Sequence, residues 1–219
     1  MLFRLGAFVL LTLVAVTHGT KKYCEIVDPA KTFHSYGAVS LHTGEPVTFD
    51  QYIGWTLLVI PVATYDDLNH QYLEFNQLQT EFLSQNFTIL AYPTTEFWKK
   101  EPGSNDEILN GLREVRPGGG YVPNFEIFEK VNVNGATQTD AWAYIKGNCH
   151  SPVDELGDSK YLFWEPFNNR DVRWTFLERI IIGADGLPYI RYNDPSDPYT
   201  PGGLRDDIEQ YLRDGYIDL

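Results

Sequence analysis

The stretch that most constrains this chain runs from Trp55 to Leu68, W-T-L-L-V-I-P-V-A-T-Y-D-D-L. Its first half is apolar and rich in β-branched residues. It ends in a polar turn, after which Leu68, Tyr72, Phe75, Leu78, Gln79 and Phe82 recur at helical spacing. A buried strand feeding an amphipathic helix is predicted. The next apolar run, F-T-I-L-A-Y from Phe87 to Tyr92, completes a strand, helix, strand unit, which requires a parallel pairing and a right-handed crossover. In open α/β sheets ligands and catalytic groups gather at the carboxyl ends of such strands. Asp66 occupies that place.

The remaining elements are read from local pattern. Tyr36 to Phe49 alternates apolar and polar residues around Thr43-Gly44-Glu45, which predicts a β-hairpin. Ser104 and Glu107 have the spacing of a capping box for a helix from Asn105 to about Glu114. Arg116-Pro-Gly-Gly-Gly-Tyr is a turn-rich loop, Phe125 to Val133 reads as a strand, and Asp140 to Lys146 as a helix. A hairpin from Ile180 to Arg191 turns at Gly183 to Gly186, and a last helix covers Gly203 to Leu212. Alternating elements of this kind give an α/β sandwich.

A chain of 219 residues without internal repeats fits one domain. Residues 1–19 pair Arg4 with an apolar run from Leu5 to Val16 and small residues beyond it. That run is shorter than the ~20 residues a membrane-spanning helix needs, so it reads as a cleaved secretory signal. Residues 20–219 are then the mature domain, and the expected location is extracellular with no membrane span. The net charge of -13 argues against nucleic acid as a partner, because the field repels phosphates. Cys24 and Cys149 are the two cysteines; in an oxidising compartment they read as one disulfide, two free thiols being the other reading. Asn86-Phe87-Thr88 is the N-x-S/T sequon, which makes Asn86 a glycosylation candidate.

The turn V-A-T-Y-D-D-L-N from Val62 to Asn69 resembles the active-site turn of the glutathione peroxidases, V-A-S-x-U-G-L-T, where U is selenocysteine or cysteine. The likeness extends through E-P-G-S-N-D-E-I-L from Glu101, V-R-P-G-G-G-Y-V-P-N-F-E-I-F-E-K-V-N-V-N-G from Val115, L-F-W-E-P from Leu162 and D-V-R-W-T-F from Asp171. This resemblance implies a thioredoxin-like α/β fold of the glutathione peroxidase type. The R-P-G-G-G loop is similar to that of the members that assemble as homotetramers, and the leader with Cys149 to the plasma-type branch.

Matched position by position, the family's catalytic set falls on Asp66, Glu96, Trp174 and Thr175, of which only Trp174 is the family's residue. Peroxide reduction of this type needs a selenolate or thiolate that is oxidised and then restored by thiols, a cycle closed to a carboxylate. Glu96, where the family has glutamine, is expected to set a second negative charge near position 66. Thr94 and Thr95 stand where the family motif has cysteine and asparagine. Arg116 and Arg191 match arginines that meet glutathione, the co-substrate the family implies, while Tyr192-Asn193-Asp194-Pro195 sets acid at the rim. No cofactor is called for.

The expected function is therefore that of a catalytically degenerate, secreted family member that binds an extracellular ligand or protein or plays a structural part. Two alternatives stand beside it: hydroperoxide reduction by another residue, with Cys149 the candidate, and a cation site on Asp66, Asp67 and Glu96. As a purely structural residue, Asp66 would be an N-cap worth about 1 kcal/mol. His18, His34, His42, His70 and His150 have no metal-ligand spacing.

Overall fold

The computed structural model describes residues 20–217; the expected secretory leader, residues 1–19, lies outside the described residues. The strand from Thr56 to Val62 (β4) and the helix from Gln71 to Phe82 (α1) organise the fold as the pattern predicted. The other elements are β1 (Thr20–Tyr23), β2 (Gly37–Val39), β3 (Pro46–Thr48), β5 (Phe87–Pro93), α2 (Asn105–Glu114), β6 (Glu126–Ile127), α3 (Asp140–Asn148), β7 (Glu178–Ile182), β8 (Pro188–Asn193) and α4 (Leu204–Asp214).

Six strands form one sheet in the order β1-β8-β7-β4-β5-β6, and β2 and β3 pair in a separate hairpin. β4, β5 and β6 are parallel to one another, whereas β7 runs antiparallel to β4, β8 to β7 and β1 to β8. Both faces of the central strands are covered. Leu58, Ile60 and Val62 point into a core with Tyr72, Phe75, Leu78 and Phe82 of α1, Ile108 and Leu112 of α2 and Ile208 of α4. Leu57 and Val59 enter the opposite core with Trp142 and Ile145 of α3, Phe33, Phe49 and Phe128. This explains why β4 is a continuous apolar run: alternation is lost when both faces are buried.

Three features depart from the sequence pattern. Phe125 to Val133 keeps only the two residues of β6 as strand. Beyond Ile127 the backbone divides its hydrogen bonds: Phe128 and Val131 donate to β5 at Ala91 and Pro93, while Glu129 donates to Val39 of the hairpin. Because β6 pairs only with Leu90 and Ala91, the N–H of Ile89 is left to the buried Gln79 side chain, at 2.9 Å. The N-terminal arm, for which the pattern predicts no element, is an edge strand, β1, tied down beyond its end by the Cys24–Cys149 disulfide. Finally, α1 begins at Gln71 after an N-cap residue, His70, that makes no side-chain capping bond. Asp66 is therefore not an N-cap.

α2 begins where predicted, with the Glu107 carboxylate accepting from Ser104 N–H at 2.9 Å and Ser104 Oγ at 2.8 Å. In the loop after it Gly118, Gly119 and Gly120 have φ of 73°, 65° and 82°. Three left-handed residues in succession carry the least strain when all are glycine.

Candidate functional site

The carboxyl end of β4 is where the side chains with chemistry meet. After Val62 the chain makes a turn fixed from two sides. Glu101 Oε2 accepts from Thr64 N–H at 2.7 Å and Thr64 Oγ1 at 2.8 Å. Asn69 Nδ2 donates to the carbonyls of Thr64 at 2.8 Å and Arg116 at 3.2 Å. Trp174 and Thr175 approach from the segment leading into β7, held by the Phe176 N–H on Pro61 O at 2.8 Å. Phe176 has φ 63°, a conformation that costs a non-glycine residue on the order of 1 kcal/mol and clusters at functional sites.

Asp66 lies at the centre and is 1% exposed. Its Oδ2 accepts from Trp174 Nε1 at 2.8 Å and Thr175 Oγ1 at 2.9 Å. Its Oδ1 accepts from the Leu68 N–H at 2.9 Å, so it caps the turn rather than the helix. Lys100 Nζ lies 3.4 Å from Oδ2 and 2.8 Å from Asp67 Oδ2, and the ammonium holds the exposed Asp67 carboxyl below the usual carboxylate range. A buried carboxylate is tolerable only with such partners. Three of the four matched positions thus meet.

Glu96 does not join them. Its carboxylate is turned to the far side, accepting from Val133 N–H at 2.7 Å, Asn134 N–H at 3.1 Å and Thr94 Oγ1 at 3.2 Å. Burial pushes its pKa up to about 7, against the opposing pull of those hydrogen bonds and of Lys146. The expectation that Glu96 charges position 66 is corrected accordingly: backbone donors at residues 133 and 134 capture the carboxylate. The metal site expected on Asp66, Asp67 and Glu96 fails for the same reason: Glu96 faces away, and no cluster of three metal-ligating side chains occurs among the described residues.

The two arginines part company. Arg191 is 1% exposed and wholly engaged: Nε donates to Glu178 Oε2 at 2.5 Å, Nη1 to the carbonyls of Cys149 and Arg170, and Nη2 to that of Asp171, each at 2.9 Å. It is a structural residue and offers glutathione nothing. Arg116 is half-buried in the turn beside Asp67 and remains able to meet an anion. Asp194 is likewise no rim charge, being 7% exposed and capping Ser196 N–H at 2.8 Å. Cys149 is buried in its disulfide, which removes it as an alternative reductant. Asn86 is exposed at the turn before β5, with Thr88 buried in the strand.

Sequence reasoning missed Lys100 and its setting, although W-K-K after Phe97 put two lysines in the same loop as Glu96. The relation to known proteins accords with this frame. A family model described as Glutathione peroxidase matches residues 33–146. The epididymal secretory glutathione peroxidase of Macaca fascicularis is 41% identical over 186 residues, 85% of this chain and 82% of that one. The chain belongs to the glutathione peroxidase family. The Sus scrofa protein of the same name is 39% identical over 218 residues, covering 97% of this chain and 98% of its own. A crystal structure of T. cruzi GPX1 aligns with a TM-score of 0.56 at 20% identity, over 85% of this chain and all of that one, and the shared fold is thioredoxin-like α/β.

Proposed function

We propose that this chain is a secreted member of the glutathione peroxidase family that has exchanged its peroxidatic residue for Asp66 and no longer reduces hydroperoxides. The observation that carries this reading is the placement of the Asp66 carboxylate among Trp174, Thr175 and the Leu68 N–H. Those donors would steady a selenolate or thiolate, and in this chain they steady an oxygen anion that cannot be oxidised and regenerated by thiols. With Arg191 engaged inside the protein, a second requirement, capture of glutathione, is weakened as well. Secretion is supported by the leader-like residues 1–19 and by relatives named as epididymal secretory proteins. Assembly as a homotetramer is supported by the R-P-G-G-G loop from Arg116 to Gly120; light scattering at micromolar concentration tests it, a monomer mass counting against it.

Returning the nucleophile tests the assignment of position 66. Asp66→Cys with Thr175→Asn should lift NADPH consumption clearly above the protein-free blank, the level expected of the wild-type chain, in an assay coupling glutathione oxidation to NADPH consumption. A folded double variant no faster than wild type would mean that position 66 is not where the lost chemistry resided.

A further inference from the structure

Neither peroxide chemistry nor the strand and helix pattern calls for Lys100. Its ammonium rests 2.8 Å from Asp67 Oδ2 and 3.4 Å from Asp66 Oδ2, and 5.3 Å and 5.5 Å from the ring centroids of Trp174 and Trp98. Two carboxylates and two indole faces around one ammonium are the elements with which proteins bind organic cations. The enclosure depends on a strained turn: Trp98 and Lys99, with φ of 48° and 51°, both occupy the left-handed region that residues with a Cβ avoid. The inner wall is fixed by Asp66, whose side chain is 2% exposed, whereas the Asp67 side chain is 83% exposed and Trp98 is 52% exposed. One side is built and the other is open.

We propose that this is a cation site occupied by the chain's own lysine, and that its external ligand is a linear polyamine. A terminal ammonium takes the place of Lys100 Nζ, and the remaining chain leads outward past Trp98 and Asp67. The ligand class follows from the present occupant. Lys100 is a primary ammonium on a methylene stem, and a polyamine presents the same group on the same kind of stem. A divalent metal fits poorly, because Ca2+ takes six to eight oxygens and indole faces supply none. The net charge of -13 draws a polycation toward the surface. The tethered lysine competes at an effective concentration in the mM range, so removing it should unmask the site.

This deepens the proposed function by naming the ligand class of the same site, and rests on it in that no hydroperoxide has to reach Asp66. The test involves no turnover, so either reading can fail alone. Spermidine is titrated calorimetrically at physiological ionic strength into the full chain, into Lys100→Ala and into Lys100→Ala with Trp98→Ala, with folding followed by circular dichroism. Lys100→Met, which keeps the stem's packing, substitutes if the alanine variant is unfolded. The expected result is at least tenfold tighter binding to the Lys100 variant than to wild type, and loss of that gain when Trp98 is removed at unchanged charge. Equal affinity for all three proteins would reduce the effect to attraction by an acidic surface and overturn the proposal, as would the absence of binding to the Lys100 variant.

Discussion

Glu96→Gln changes charge with little change of shape at a carboxyl whose every partner is defined, and its effect on stability should depend on pH with a definite sign. Burial raises the folded-state pKa of Glu96 from 4.5 to about 7. The native state therefore holds this proton more tightly than the unfolded chain, and the associated stability is complete below about pH 4.5 and is lost as pH rises through 7. The gap between 4.5 and about 7, at 1.36 kcal/mol per pH unit, is worth about 3 kcal/mol. A glutamine at position 96 keeps an oxygen for the N–H groups of Val133 and Asn134 and carries no such dependence. Its amide N–H groups face Thr94 Oγ1, and imperfect pairing there costs about 1 kcal/mol. Urea unfolding with the disulfide intact should thus find Glu96→Gln no more stable than wild type at pH 5 and more stable by about 1–3 kcal/mol at pH 8. Glu101 and Asp207, also raised by burial, give both proteins a common slope, so the difference between them isolates Glu96. A difference that stays constant across this range would refute the reasoning.

Asp171→Ala should be the more damaging change on the same side of the sheet, because the carboxylate serves Lys146 Nζ at 3.0 Å, Trp164 Nε1 at 2.9 Å and Asn168 N–H at 2.8 Å. Stranding the buried ammonium is expected to cost about 3–5 kcal/mol, read as a lower midpoint in thermal unfolding. In the glycine loop, Gly119→Ala should cost about 1–2 kcal/mol from its φ of 65° with open space around the new methyl. Gly118→Ala should cost more in the same unfolding measurement, because its Cβ would lie 3.0 Å from Val115 O. Alkylation of the denatured protein should label neither cysteine without reduction and both after it. Reduction should also lower stability by several kcal/mol, since the Cys24–Cys149 link spans 125 residues and loops of that size are worth about 4–5 kcal/mol.

The parts of the fold that were legible in the sequence are those where local and global signals agree. β4, α1, β5, α2 and the β7–β8 hairpin each carry their own periodicity, caps or turn residues, and the structure places them within a few residues of the pattern. β1 and β6 carry no such signal: T-K-K-Y becomes a strand because β8 offers an open edge, and F-E-I-F-E-K-V loses most of its strand because two neighbours compete for its backbone. At the site, family resemblance named Asp66, Trp174 and Thr175, which the structure brings into hydrogen-bond contact, but could not foresee where Glu96 points. That direction is set by two backbone N–H groups at residues 133 and 134, far away in sequence. Lys100 was illegible for a similar reason, since only the left-handed turn at Trp98 and Lys99 brings it inward.

The measurement that bears most directly on the central claim is turnover by the wild-type chain itself. The purified, folded protein is assayed with glutathione, glutathione reductase and NADPH against hydrogen peroxide and a lipid hydroperoxide, beside an active member of the family at equal concentration. With Asp66 buried and hydrogen-bonded at the position the proposed function assigns to the lost selenolate or thiolate, NADPH consumption should match the protein-free blank for both substrates. Turnover approaching that of the active relative would contradict the account.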